Sequence, residues 1–219
     1  MYVTDKYVFV HCNKTGGVFV KDFLIKYFNA KVHRYKHSPI RMLDSKHRDK
    51  VKIGVIRNPF SWYVSYFTYL TKNGVLTTMD FPQFLFTYTE HPRALFDFMG
   101  KKIRRKFENL YPPKTHLNIG SWYFHFINYF CYDAIKIFNP QGSYAKCEDY
   151  HDLDVLMRTE NLKEDMIKTF GEEHRESIEN LPKKNVSNTK PYQEYYTPAL
   201  RERVEQKDGI LMEYLGYEF

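Results

Sequence analysis

The chain has 219 residues, of which 43% are hydrophobic; this excludes a disordered polypeptide and suits one domain, residues 1–219, with a single core. Its three cysteines are widely spaced and form no CxxC pair, so neither a disulfide framework nor a cysteine zinc site is indicated, and we expect a reduced compartment. The formal net charge of +7 suits anionic partners, such as phosphates, sulfates, nucleic acid or an acidic membrane surface, without choosing among them, and simple solubility explains it equally well.

The first third of the chain alternates apolar segments of two different periods. Tyr7 to His11 is predicted as a buried strand, and the apolar spacing from Val18 to Phe28 predicts a helix after it. A second helix is expected to begin around Ser38-Pro39. The run "VKIGVI" at 51–56 predicts another strand, followed by a helix that Asn58 caps. This alternation predicts an α/β fold with a parallel sheet and crossover helices.

The remaining elements alternate less regularly. We expect, in chain order, a helix after Asp80, an exposed basic loop at 101–116, buried segments at 121–130 and 134–138, a strand at 154–159, a helix at 161–170, a polar loop at 182–196, and short helices at 198–204 and 210–215. We expect no leader sequence, and no apolar run is long enough to span a bilayer. We therefore expect a soluble, cytoplasmic protein without a transmembrane segment.

The stretch "NKTGG" at 13–17 lies where the first predicted strand gives way to a helix. Ligands of open α/β sheets bind beyond the carboxyl ends of the strands, where a helix N-terminus offers backbone N–H donors. Gly16 and Gly17 allow the backbone to curl around an oxyanion, and Lys14 adds a full charge beside it. The order differs from the standard P-loop, in which the lysine follows the glycines. A glycine turn with an exposed lysine is the alternative on these residues alone.

A second segment predicts the other half of an anion site. Arg57 ends the second predicted strand, at the same rim of the sheet, and Ser65 lies eight residues further on in the following helix. Arginine can bind a phosphate with two hydrogen bonds, and a serine hydroxyl can add another. Taken alone, Arg57 would suit a surface salt bridge and Ser65 would suit helix packing. The two segments together favour a bipartite anion site.

These segments resemble the sulfotransferases that use 3'-phosphoadenosine 5'-phosphosulfate (PAPS), in the branch of heparan-sulfate and other carbohydrate sulfotransferases. "FVHCNKTGG" resembles that family's "hIPKTGGTS" loop, and "VIRNPFSWYVSYF" resembles its "VRNPxxRxVSxY" segment. "RTENLKED" at 158–165, "NVSNTKPYQEYYTPALRERV" and the closing "YLGYEF" are weaker signatures. The chain departs from the pattern at Asn13, Val18-Phe19 and Trp62, where the family usually has Pro, Thr-Ser and Arg. The resemblance implies a P-loop-containing nucleotide-hydrolase-like three-layer fold, with a central parallel sheet flanked by helices.

The resemblance also implies which residues bind PAPS. They form three groups that would hold the 5'-phosphosulfate, hold the 3'-phosphate, and close over the nucleotide: Lys14, Thr15, Gly16, Gly17 and Val18; Arg57 and Ser65; Asn185 and Ser187. The product would be 3'-phosphoadenosine 5'-phosphate (PAP). No metal is expected, because lysine and arginine supply the positive charge.

Sulfuryl transfer to a hydroxyl needs a general base, and histidine suits this role because its pKa lies near working pH. His37, which follows the first predicted helix, is the predicted base, and His33 is its close rival. Lys14 is the predicted catalytic cation at the leaving oxygen. His11 is expected to be structural, and His125 to pack or to contact the acceptor. The predicted catalytic set is therefore Lys14 with one of the two histidines.

Two other functions stay open on the sequence. A P-loop kinase-like phosphotransferase would need a magnesium-binding hydroxyl next to the loop lysine and an acidic metal ligand on a strand. A non-catalytic module would use its basic surface on nucleic acid or an anionic polysaccharide. The run "KKIRRK" at 101–106 could attract an anionic glycan, but a solvated face is the favoured interpretation. The favoured prediction is transfer of a sulfuryl group from PAPS to a hydroxyl acceptor, with a glycan as partner and no nucleic acid.

Overall fold

The computed structural model describes residues 1–90, 153–182 and 190–219. These residues belong to two compact units: the first contains 1–57 and 153–182, and the second contains 58–90 and 190–219. No helix within the described ranges is long and apolar enough to cross a membrane. The α-helices of these ranges are α1 (Gly17–Phe28), α2 (Pro59–Lys72), α3 (Phe81–Glu90), α4 (Leu162–Phe170), α5 (Arg175–Glu179) and α6 (Pro198–Leu215).

The first unit is built on a mixed five-stranded sheet. Its strands are β1 (Tyr2–Val3), β2 (Tyr7–Val10), β3 (Lys31–Val32), β4 (Val51–Ile56) and β5 (Val155–Arg158), in the spatial order β3-β1-β2-β4-β5. Strands β2, β4 and β5 run parallel, whereas β1 is antiparallel to both β2 and β3. The α/β class predicted from the sequence is confirmed, but the sheet is mixed rather than wholly parallel.

The two antiparallel strands were not predicted, because two residues are too few to show a period. Thr4 makes the turn that folds β1 back onto β2. Its hydroxyl oxygen accepts hydrogen bonds from the backbone N–H of Lys6 at 3.2 Å and of Tyr7 at 2.7 Å. A side-chain turn of this kind is common for threonine. The hairpin places Tyr2 opposite Phe9 and leaves β1 free to pair with β3 on its other side.

The core of the first unit joins the sheet to α1 and α4. Phe9 and Ile53 from the strands and Phe23 from α1 are fully buried, together with Met166 of α4. Burial of one such side chain contributes about 1.5–3 kcal/mol. This shared cluster fixes α1 against the sheet, and thereby holds the segment between β2 and α1 at the carboxyl end of β2.

The second unit packs α2, α3 and α6 together. Asn58 caps α2 as predicted, since its side-chain oxygen accepts from the N–H of Phe60 at 3.0 Å and Pro59 stands in the first turn. The Tyr63 hydroxyl of α2 donates to the Asp208 carboxylate of α6 at 3.0 Å, and both residues are buried. This contact ties α2 to α6 inside the unit.

Two helix predictions were wrong. The chain after Ser38 forms two short 3-10 turns, Ile40–Met42 and Ser45–His47, instead of a helix. The hydroxyl of Ser38 contacts the backbone N–H and C=O of Tyr35 at 3.0 and 2.9 Å, so it closes the preceding turn and caps no helix. Near the C-terminus, α6 is continuous through Gly209, because a single glycine weakens a helix without ending it.

Candidate anion-binding site

The segment between β2 and α1 has an unusual backbone. Lys14 has φ 65° and Gly16 has φ 78°, both in the left-handed region. At a residue other than glycine this conformation costs about 1–3 kcal/mol and persists only where the surroundings fix it. Thr15, which is fully buried, supplies part of that restraint, because its hydroxyl donates to the carbonyl of Cys12 at 3.1 Å. The Thr15 hydroxyl therefore stabilises the backbone conformation of the loop.

The N-terminus of α1 suits an anion. Gly16 is its N-cap, and among the described residues no side chain caps the helix and no acidic residue stands in its first turn. The first N–H groups of a helix have no acceptor within the helix, and they carry the positive end of its dipole. Val18 lies half-buried in this first turn. An oxyanion at this end would accept hydrogen bonds from backbone groups.

Gly17 is required by a close contact rather than by a curled backbone. A β-carbon at this position would lie 2.4 Å from Cδ2 and 2.8 Å from Nε2 of His11, which is far too close for van der Waals contact. The imidazole of His11 is buried and stacks on Phe9, with ring centroids 5.6 Å apart. The absence of a side chain at Gly17 thus lets the start of α1 approach the end of β2.

The structure brings Arg57 to the loop that contains Lys14. Arg57 follows β4, and its Nη1 donates to the backbone carbonyl of Lys14 at 3.4 Å. The pKa of Lys14 is lowered first by burial and then by the positive charge of Arg57. A bound anion would stabilise both cations, because an opposite charge offsets burial and repulsion together. The ends of β2 and β4 therefore form one cationic corner of the first unit.

Thr159 completes this corner and was not among the predicted site residues. It follows β5, and its hydroxyl oxygen lies 2.8 Å from the carbonyl oxygens of both Thr15 and Ile56. The ends of three parallel strands thus meet at one hydroxyl. A usable signal was present, because Thr159 is a polar residue at the end of a predicted strand, the same rule that selected Arg57.

His37 lies against the end of β2. Its Nδ1 is 2.8 Å from the carbonyl oxygen of His11, and the two rings have centroids 4.6 Å apart. A carbonyl can only accept, so Nδ1 donates, and in the neutral ring Nε2 is left without a proton. Burial lowers the pKa of His37, partly opposed by the hydrogen bond to His11, and the charge of Lys36 lowers it further. Nε2 of His37 is therefore able to accept a proton at neutral pH.

His33 has different partners. Its Nε2 lies 3.5 Å from the carboxylate of Asp44, and its ring meets His47 edge-to-face at a centroid distance of 5.4 Å. In the described part of the chain, these side-chain contacts involve the 3-10 turns and not the loop at Lys14. Of the two candidate bases, His37 is the one whose ring contacts the backbone leading into that loop in the described part of the chain.

For the other predicted residues, the structure gives no position relative to this corner. Ser65 is buried on α2 in the second unit, and its pairing with Arg57 stays a prediction. Asn185, Ser187 and His125 lie outside the described residues, as do the basic loop at 101–116 and the segments at 121–130 and 134–138. Within residues 1–90, 153–182 and 190–219, no group of three or more His, Cys, Asp or Glu residues could hold a metal ion.

Comparison with known proteins identifies no relative. No family model matches the chain, and no curated protein or solved structure matches it. The cationic corner and the neighbouring His37 offer an ammonium, a guanidinium, the amide end of a helix and an imidazole, groups whose chemistry suits an oxyanion ligand and proton transfer.

Proposed function

We propose that the chain is a PAPS-dependent sulfotransferase that acts on a hydroxyl acceptor, with a glycan as the expected class. The observation that carries the proposal is the contact of the Arg57 guanidinium with the Lys14 carbonyl at 3.4 Å. Two cationic side chains from two strand ends suit a ligand with two separate anionic groups, which PAPS has and a simple phosphate ester lacks. With this function we propose the P-loop-like three-layer fold that the sequence motifs imply.

The described donors divide naturally between the two ends of such a nucleotide. The Lys14 ammonium and the first-turn amides of α1, from Gly17 and Val18, hold the 5'-phosphosulfate in this proposal. Arg57 holds the 3'-phosphate with its planar pair of donors. The predicted contacts of Ser65, Asn185 and Ser187 belong to the same proposal. No divalent metal is needed, since the protein supplies the charge that would neutralise the phosphates.

Each catalytic residue has one task in the proposed reaction. When bound, PAPS supplies the sulfuryl group: its sulfur forms a bond to the acceptor oxygen while the bond to the 5'-phosphate oxygen breaks, and that oxygen keeps the electron pair. Lys14 stabilises the negative charge on this leaving oxygen. Nε2 of His37 accepts the proton of the acceptor hydroxyl, and its Nδ1–H bond to His11 keeps the ring oriented. The chain thereby positions the donor and handles the proton.

Isothermal titration calorimetry with PAP, against ATP with Mg²⁺, tests the proposal. We expect PAP to bind tightly without magnesium and more strongly than ATP. Lys14→Ala should abolish this binding, whereas Lys168→Ala, which removes an exposed lysine from α4 of the same unit, should leave it unchanged. A preference for magnesium-ATP would instead identify a phosphotransferase, and binding of neither nucleotide would identify a non-catalytic module.

A further inference from the structure

One hydroxyl bridges the two loops that carry the cations. Oγ1 of Thr159 lies 2.8 Å from the carbonyl oxygen of Thr15 and 2.8 Å from that of Ile56. Because a hydroxyl has a single proton, this proton is shared between the two acceptors. Thr15 directly follows Lys14 in the chain, and Ile56 directly precedes Arg57. The two bridged carbonyls are therefore the immediate neighbours of the two cationic residues.

The strand pairing of β2 with β4 stops short of these two loops. The paired register of β2 with β4 ends at Val10 and Gly54, before the loop begins. The methyl group of Thr159 also lies beside Gly16, where an added β-carbon would meet it at 3.6 Å. Beyond the last strand pair, the Thr159 bridge and the Arg57 contact with the Lys14 carbonyl connect the loop to the end of β4.

We propose that Thr159 is a positioning residue that sets the spacing between Lys14 and Arg57. It acts through the backbone of the two loops and does not need to touch the ligand. The consequence for specificity rests on the proposed function. In that case, the hydroxyl of Thr159 sets the distance between Lys14 and Arg57 to match the distance between the two phosphate ends of PAPS. The bridge between the loops is a claim about the ligand-free protein and can be tested without any nucleotide.

The first experiment measures hydrogen exchange of the Phe19 backbone amide, which donates at 2.9 Å to the Gly16 carbonyl of the loop, in the ligand-free protein. Thr159→Val removes the hydroxyl and keeps the shape, whereas Thr159→Ser keeps the hydroxyl. Thr169→Val is the matched control, because the Thr169 hydroxyl donates at 2.6 Å to the carbonyl of Asp165 within α4. We expect roughly tenfold faster exchange in Thr159→Val alone, the factor that corresponds to loss of one hydrogen bond.

The second experiment measures PAP affinity in the same variants. We expect Thr159→Val to weaken PAP binding by roughly tenfold, with Thr159→Ser and Thr169→Val within about twofold of the wild type. Thr159→Ala replaces the valine variant if the latter does not fold. If Thr159 had only a structural role, Thr159→Val would lower the free energy of unfolding but leave the loop exchange and the PAP affinity of the folded protein unchanged.

The outcomes separate the two claims. Faster loop exchange in Thr159→Val with restoration by serine supports the bridge, even if the wild type binds no PAP and the proposed function fails. Unchanged exchange of the Phe19 amide in Thr159→Val overturns the bridge, whatever the nucleotide titrations give. Faster exchange with unchanged PAP affinity overturns the assignment of Thr159 to ligand spacing.

Discussion

Replacing Lys14 by glycine should make the protein more stable and at the same time inactive. Lys14 has φ 65°, a conformation that a β-carbon makes unfavourable and that glycine adopts freely. The side chain is also partly buried beside Arg57, and both effects lower its pKa. The left-handed backbone and the partly buried charge of Lys14 both lower the stability of the protein, a combination that is common at binding sites.

The expected gain can be worked out from the backbone. The left-handed conformation costs a residue with a β-carbon about 1–2 kcal/mol. Glycine loses about 0.5–1 kcal/mol more backbone entropy on folding than alanine does. The net gain for Lys14→Gly is therefore about 0.5–1 kcal/mol, and removal of the repulsion from Arg57 acts in the same direction. For a chain of this size, such a gain raises Tm by about 1–4 °C.

Lys14→Ala is the matched comparison, because it removes the same ammonium but keeps the β-carbon. Urea denaturation should give Lys14→Gly a free energy of unfolding about 1 kcal/mol higher than that of Lys14→Ala. Both variants should lose PAP binding, and turnover should fall by about 100-fold or more. If the glycine variant is no more stable than the alanine variant, the backbone at this position is not strained and the reasoning fails.

Three further predictions concern the residues around the loop. Gly17→Ala should lower the free energy of unfolding by about 1–3 kcal/mol, because its β-carbon would press on His11; urea midpoints equal to wild type would show that this contact relaxes freely. Burial lowers the pKa of His11 to about 2, so below pH 6.5 the unfolded state binds more protons and stability falls as pH decreases. The contribution of His11 to the slope of the free energy of unfolding against pH reaches about 1.4 kcal/mol per pH unit. His11→Asn should lower this slope by that amount in urea denaturation series from pH 6.5 to 4.5, and an unaltered slope would mean that the pKa of His11 is not lowered by folding. His37→Gln can still donate to the His11 carbonyl but cannot accept a proton, so turnover should drop about 10²–10⁴-fold with unchanged PAP affinity in calorimetry, and full activity would rule His37 out as the base.

The local elements of the first unit could be predicted because each has a complete signal in its own residues. β4 is the apolar run at 51–56 that was expected, and α1 begins at Gly17, one residue from the predicted start. The rule that parallel strands end at one edge predicted that the Lys14 loop and Arg57 would lie together, and Arg57 contacts the Lys14 carbonyl. Patterns of this kind depend on neighbours in the chain and on one simple packing rule.

The features that were missed depend on contacts between distant residues. β1 and β3 are strands because each two-residue segment pairs with a neighbouring strand of the sheet. A segment of two residues is too short to show the alternation that predicts a strand. Thr159 reaches Thr15 across 144 positions, which requires that β5 lie next to β4. Spacing alone could not order those strands.

The two histidines show the same limit at the candidate site. His33 and His37 both follow α1, so sequence position could not distinguish them. The fold gives them different partners, Asp44 for His33 and the His11 carbonyl for His37. The Ser38 hydroxyl, which closes a turn and begins no helix, helps to hold this segment in place.

The most direct test of the central claim is to compare the affinities of PAP and 5'-AMP for the wild type and for Arg57→Ala. The two ligands differ only in the 3'-phosphate, which Arg57 holds in this account. We predict that Arg57→Ala weakens PAP binding by about tenfold or more beyond its effect on 5'-AMP, as expected for loss of a charge-assisted hydrogen bond. Equal loss for both ligands, or no preference for PAP over 5'-AMP in the wild type, would contradict it.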